Sequence, residues 1–290
     1  MIAILCALLT AIGFYFSIGL GDQWWLVWIA PIPVLWLAFG KTKSRTVFFS
    51  AFLGYALGAL NILPAYAGAM PFVVVLAIGG PALVFAGSVM GARRLCHTLG
   101  AIPAMFAFAA LWTAFDFLSS FNRAGGSAST PAAAEVGAPM FIQSAAFVGY
   151  LGVTFLLAVV SAGLALSLRT RDMRLAAIAV ALFLIYAGFG YWRISEPPKR
   201  TIKVALIESD KTVGAIRKDD KTATMSAIDA YVREIDNLAD AHVALILLPE
   251  NLARVASMAR RGAGEACRRG NSSAQHSCCG LHHLSRWRAA

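Results

Sequence analysis

Glu250 stands directly after Pro249, where the apolar run HVALILLPE ends. A carboxylate at the carboxyl end of a strand can act as a general base if its surroundings raise its pKa, and open α/β sheets gather their sites at that edge. The plain alternative is a solvated loop glutamate, and a strand-Pro-Glu pattern alone does not separate the two. A second group of chemically able residues lies near the end: Cys278, Cys279, His282 and His283. Zinc sites usually space their ligand pairs by several residues. Adjacent Cys-Cys and His-His dipeptides crowd the donors instead, so no metal site is expected.

Two more positions carry polar chemistry inside apolar sequence. Asp116, in LWTAFDFLSS, lies near the end of an apolar segment. Ionisable groups within a membrane are costly and often functional, yet this one could also sit at the interface beside a polar loop. Gln143 could hydrogen-bond between helices, a packing role rather than a substrate role. The loop from Ser119 to Gly137 holds Arg123 and Glu135 among much Gly, Ala and Ser. It reads either as the rim of an active-site entrance or as a linker.

The elements that must position these residues are mostly membrane helices. The chain has 290 residues, 59% hydrophobic and only 14% charged, with a mean hydropathy of +0.68. Those values fit a multi-pass membrane protein. A spanning helix needs roughly 20 mostly apolar residues. Seven segments qualify, near residues 2–20, 24–40, 46–66, 70–92, 100–119, 139–167 and 175–191. The second is short and contains Pro31 and Pro33, which predicts a kink or a re-entrant path. The sixth is long enough to tilt. Trp24, Trp25, Trp28, Trp112 and Trp192 lie near segment ends, where interfacial aromatic belts form. No Lys or Arg precedes the first apolar run, so an uncleaved first span is expected rather than a signal peptide.

Charge orients these spans. Lys41, Lys43 and Arg45 follow the second, Arg93 and Arg94 the fourth, and Arg169, Arg171 and Arg174 the sixth. The other loops hold only Arg123. Basic loops stay in the cytoplasm, which predicts a cytoplasmic N-terminus and places everything after Tyr191 outside. The formal net charge of +10 reflects this topology and an arginine-rich end, and no nucleic-acid partner is expected. The five cysteines form no spaced disulfide framework.

Composition changes at Ser195. The predicted organisation is a transmembrane domain over 1–194, a linker over 195–200 containing Pro197 and Pro198, and an α/β fragment over 201–254. TIKVALIES and HVALILLPE read as buried strands flanking a helix whose Ile228, Tyr231, Ile235 and Leu238 share one face. This is one βαβ unit with a parallel strand pair. Parallel strands are normally covered on both faces, and one helix covers one face only, so poor order is expected here. Residues 255–290 form a basic tail without useful periodicity, rich in Arg, Cys, His, Ser and Gly. A GC-rich gene read in a wrong frame would have this composition, so a truncated or frameshifted chain is expected.

The whole arrangement resembles the apolipoprotein N-acyltransferase family. WWLVWIAPIPVLWLAFG looks like its second span, and GYALGAL and LWTAFDFL like its third and fifth. APMFIQSAAFVGYLGVTFLLAVVSAGLAL looks like the span before the domain linker. IKVALIES, AIDAYVREI and ALILLPENL look like the start of its nitrilase-like (carbon-nitrogen hydrolase) domain. The loop departs from the pattern, reading GGSASTPAAAEV where better-known members carry a Phe-Pro-Trp stretch.

The resemblance implies a bacterial inner-membrane enzyme with its hydrolase domain in the periplasm. Its substrates would be a membrane phospholipid and a lipoprotein, with no cofactor. It also implies a Glu-Lys-Cys triad: a cysteine takes the acyl chain as a thioester, the glutamate is the base, and the lysine steadies the oxyanion. Glu250 matches the family's glutamate. No Lys follows Lys221, and Cys267, Cys278 and Cys279 come too early for the nucleophile. The chain is therefore expected to be inactive as written. The alternative is a non-enzymatic multi-pass protein that binds lipid or a partner. A transporter fits worst, because the spans hold few ionisable residues and show no inverted repeat.

Overall fold

The computed structural model describes residues 1–66, 70–121, 130–196, 201–207, 221–238 and 243–248. The chain divides into two compact units, Met1–Pro198 and Lys199–Ala290.

The first unit is a helical bundle. Its helices are α1 (Ile2–Ser17), α2 (Leu26–Ile29), α3 (Ile32–Ala38), α4 (Ser44–Gly58), α5 (Pro71–Leu99), α6 (Ala101–Ser120), α7 (Pro139–Ile142), α8 (Ala145–Thr170) and α9 (Met173–Ser195). Two 3₁₀ helices, Ala59–Tyr66 and Pro131–Gly137, complete it. Helix α1 packs on α4, α4 on α5, α5 on α6, α6 on α8 and α8 on α9, while α3 lies against α8 and α1. Helix α8 is the central one, with 67% of its most apolar stretch buried.

Among the described residues, five helices are long and apolar enough to cross a membrane: Ser44–Pro64, Pro71–Leu99, Ala101–Ser120, Ala145–Thr170 and Met173–Ser195. The first two expected spans form shorter apolar helices, for local reasons. Helix α1 ends at Ser17, and the chain then turns through Gly19 at φ +65°. A Cβ at Gly19 would lie 2.3 Å from the Ile62 side chain, so both backbone sign and space demand glycine. Pro31 separates α2 from α3, as its missing N–H and ring clash dictate.

The sixth expected span is a long helix whose start is broken. Helix α7 stops at Ile142, Gln143 and Ser144 turn, and Gly149 at φ +65°, ψ 178° interrupts the start of α8. An L-residue with a side chain is strained at that φ, which explains why the sequence GYLGV bends there.

Two of the five tryptophans expected in interfacial belts belong to the core. Trp112 is 4% exposed and meets Phe85 and Phe108, each at a ring-centroid distance of 5.3 Å. Phe14 joins this cluster edge-on to Phe85, and Tyr55 tilts against both. Edge-to-face arrangements of this kind add to the burial of area alone. Trp28 is the second buried tryptophan, whereas Trp25 and Trp192 are exposed. Gly54 and Gly58 let α4 approach α1 closely, since a Cβ at Gly58 would meet Phe14 Cβ at 2.4 Å.

The three basic loops meet at one end of this bundle. The Arg93 guanidinium donates to the carbonyls of Ala38, Gly40 (3.0 Å) and Thr42 (2.6 Å). It thereby caps the end of α3 from α5. Arg169 lies over the Trp36 ring at 4.8 Å and crowds Gly40.

In the second unit, β1 (Val204–Leu206) and β2 (Leu245–Leu247) pair in parallel, with Val204 opposite Leu245 and Leu206 opposite Leu247. Between them in sequence runs α10 (Lys221–Asn237). Tyr231 on α10 is buried, and Ile228 and Ile235 are half-buried on the same face. The strands themselves are open. Leu206 is 76% exposed, and Leu245 and Leu247 are exposed too. The apolar runs that read as doubly covered strands are therefore not covered among the described residues.

Candidate functional site

The end of the bundle opposite the basic loops holds two buried carboxylates, and neighbouring helices place both. The break at Pro31 leaves α2 short of its next turn, and the Ser161 hydroxyl of α8 donates to the Trp28 carbonyl at 2.6 Å. That bond fixes the Trp28 backbone. Its indole Nε1–H donates to Glu135 Oε1 at 2.8 Å. Glu135, on the 3₁₀ helix Pro131–Gly137, is fully buried. Burial lifts its carboxyl from an ordinary value of 4.5 to about 8, and the Trp28 hydrogen bond offsets this only in part. At neutral pH the carboxyl is mainly protonated.

An aromatic box encloses this pair. Trp28 packs on Phe183 at 4.9 Å, Phe141 at 5.9 Å and Tyr186 at 5.8 Å, while Trp24 tilts against Phe141 at 4.7 Å. Helices α2, α7 and α9 each contribute a wall. The loop holding Glu135 reads in sequence as a rim or a linker; the described part of it instead seals a core.

Asp116 is the second buried carboxylate, at 5% exposed. Its Oδ2 accepts from the hydroxyls of Thr130 (2.5 Å) and Thr154 (2.8 Å), which lie 3.1 Å apart. The Thr130 hydroxyl also accepts from the Ala132 backbone N–H at 3.4 Å and so caps the 3₁₀ helix. Asp116 thus ties α6, α8 and the start of the 131–137 segment together. Its surroundings are those of a buried clasp, not of a solvated interface.

Gln143 has the packing role expected of it. Its amide donates to the Pro139 carbonyl at 2.9 Å, and its Oε1 accepts from Arg193 Nε at 3.2 Å. Arg193 also stacks over Phe147. The turn between α7 and α8 is thereby fastened to the end of α9.

These contacts anchor and orient: the hydroxyls on Asp116 are those of Thr130 and Thr154, and the donor on Glu135 is the Trp28 indole. Glu250 lies outside the described residues, as do Cys267, Cys278, Cys279, His282 and His283. The sequence reading missed Trp28, Thr130, Thr154 and Tyr186 as polar partners. All four lie in ordinary apolar or small-residue stretches, and only their partners across the bundle mark them out.

Comparison with known proteins agrees with this architecture. Residues 6–163 match the apolipoprotein N-acyltransferase N-terminal domain. Over 223 residues the chain is 29% identical to the apolipoprotein N-acyltransferase of Allorhizobium ampelinum, a match covering 75% of this chain and 38% of that relative. The chain thus spans well under half the length of this curated relative. With more than half its residues inside the family's N-terminal domain, this bacterial-type membrane protein belongs to the apolipoprotein N-acyltransferase family.

Proposed function

We propose that this chain is the membrane part of an apolipoprotein N-acyltransferase joined to the opening βαβ unit of its carbon-nitrogen hydrolase domain. The observation that carries this reading is the family match over residues 6–163, followed in sequence by a parallel β1–α10–β2 unit. On this reading α1 and the broken α2–α3 pair are also embedded in the bilayer, giving seven membrane segments. The basic loops that converge at Arg93 and Arg169 face the cytoplasm. The N-terminus then lies on that side, and the second unit lies in the periplasm of a bacterial inner membrane.

On this reading Glu250, which follows β2 by three positions in sequence, is the family's base. The reaction would transfer a phospholipid acyl chain to a cysteine as a thioester, then to the N-terminal cysteine of a lipoprotein. Within the 290 residues no lysine follows Lys221, so this reading assigns neither the lysine nor the nucleophile of that sequence to this chain. The reading therefore predicts no acyl transfer by residues 1–290 by themselves, while the helices keep the lipid-facing surface of the enzyme.

A chimera tests this. The first 250 residues are fused to the part of the Allorhizobium protein that follows the matching glutamate. Phospholipid-dependent N-acylation of a diacylated lipopeptide is then assayed in proteoliposomes. Activity that disappears on Glu250→Gln supports the reading. A folded chimera without activity, or activity indifferent to Glu250, would favour a non-enzymatic membrane protein that binds lipid or a partner.

A further inference from the structure

Three buried polar atoms at the aromatic box have no hydrogen-bond partner among the described residues: Glu135 Oε2, Ser144 Oγ and the Tyr186 hydroxyl. They are not scattered. The Tyr186 hydroxyl lies beside the Ser144 hydroxyl, close enough to interact but short of good hydrogen-bond geometry, and within electrostatic reach of Glu135. Glu135 is 0% exposed and Tyr186 6%. Trp28, Phe141 and Phe183 wall the group in. Native proteins rarely leave even one such atom unpaired, and each costs more than fixing a single water does.

We propose that Glu135, Ser144 and Tyr186 together bind one water molecule, which bridges the 131–137 segment to the α7–α8 turn and to α9. The chemistry of the three groups suits a water. The neutral Glu135 carboxyl donates its proton to the water, and the two hydroxyls each offer a lone pair and a donor. A water accepts two hydrogen bonds and donates two, and buried waters typically make about three. A monovalent cation is disfavoured by burial, since the carboxyl opposite it holds its own proton at neutral pH.

The bridge adds a tie that the protein contacts do not supply. Trp28 joins Glu135 to α2, but no described side-chain hydrogen bond joins Glu135 to α9. The inference is independent of the proposed activity, since it concerns the helical unit alone.

The direct test is a structure of the full chain in a lipid nanodisc at a resolution that shows ordered water. A single water peak within hydrogen-bond distance of all three oxygens is the expected result. Direct Glu135–Tyr186 or Glu135–Ser144 hydrogen bonds, or density for anything larger than water, would overturn the proposal. A thermal double-mutant cycle supplies a second reading. Glu135→Leu and Tyr186→Phe should each lower the unfolding midpoint, with the double variant no lower than the worse single. Glu135→Gln, which keeps a donor, should stay near the wild type and so control for misfolding. Additive losses in the double variant would count against a shared water.

Discussion

The indole of Trp28 and the carboxyl of Glu135, 107 positions apart in sequence, share a 2.8 Å hydrogen bond inside a sealed aromatic box. That bond fixes the 131–137 segment against the short helix α2, which Pro31 has set apart from α3. Trp28→Phe keeps most of the ring packing and removes the donor. A buried acceptor left unpaired costs about 1–3 kcal/mol. The unfolding midpoint in detergent should fall accordingly, and a variant as stable as the wild type would show that the bond contributes nothing.

The same carboxyl makes stability depend on pH. In the folded protein it titrates at about 8, against an ordinary value of 4.5. Below about pH 4.5 both the folded and unfolded states hold the proton, so its contribution is fully present. As pH rises from there to about 8, the unfolded state loses the proton while the folded state keeps it, and stability falls; above about 8 the loss levels off. Between pH 5 and 8 the loss is at most on the order of 3 kcal/mol. Glu135→Gln should flatten that part of the profile. Equal slopes in wild type and variant would place the carboxyl in ordinary solvent.

Asp116 predicts a coupled pair. Its Oδ2 holds Thr130 and Thr154 at once. Asp116→Ala leaves the Thr130 and Thr154 hydroxyls only each other, one donor short of an acceptor, and should cost about 1–3 kcal/mol; Asp116→Asn, which keeps an acceptor, should cost less. Combined with Thr154→Val, the alanine variant should lose less than the sum of the single losses. Strict additivity would separate the two residues.

How much of this was legible in the sequence depends on the range of the signal. Apolar runs of 20 residues or more are local, and the helices from α4 onward follow from them. The helical face of Ile228, Tyr231 and Ile235 and the parallel pairing of β1 with β2 were also readable, because both rest on short-range periodicity. Helix breaks at Pro31 and Gly149 are local as well, but they cut apolar runs that hydropathy alone reads as continuous. Burial of Glu135 was not readable. A glutamate among alanines after Thr130 looks like loop, and only Trp28, a hundred positions earlier, accounts for it. Trp112 shows the same limit: at a segment end it reads as a belt residue, and only Phe14, Phe85 and Phe108 reveal it as core.

The second unit carries a prediction about order. Leu206, Leu245 and Leu247 are exposed, so the β1–β2 pair lacks the cover that parallel strands normally have. Amide hydrogens over 204–206 and 245–247 should therefore exchange orders of magnitude faster than those of α6 and α8. Protection comparable to that of α8 would mean that another segment covers the strands.

The most direct test of the central claim is an acylation assay on the chain by itself. The purified protein is placed in phospholipid vesicles with a diacylated, cysteine-terminated lipopeptide, and the product is followed by mass. On the proposed reading no acylated product above the protein-free control is expected, because no lysine follows Lys221 to serve the base proposed at Glu250. Product that depends on the protein would contradict the account and would require a nucleophile elsewhere in the chain.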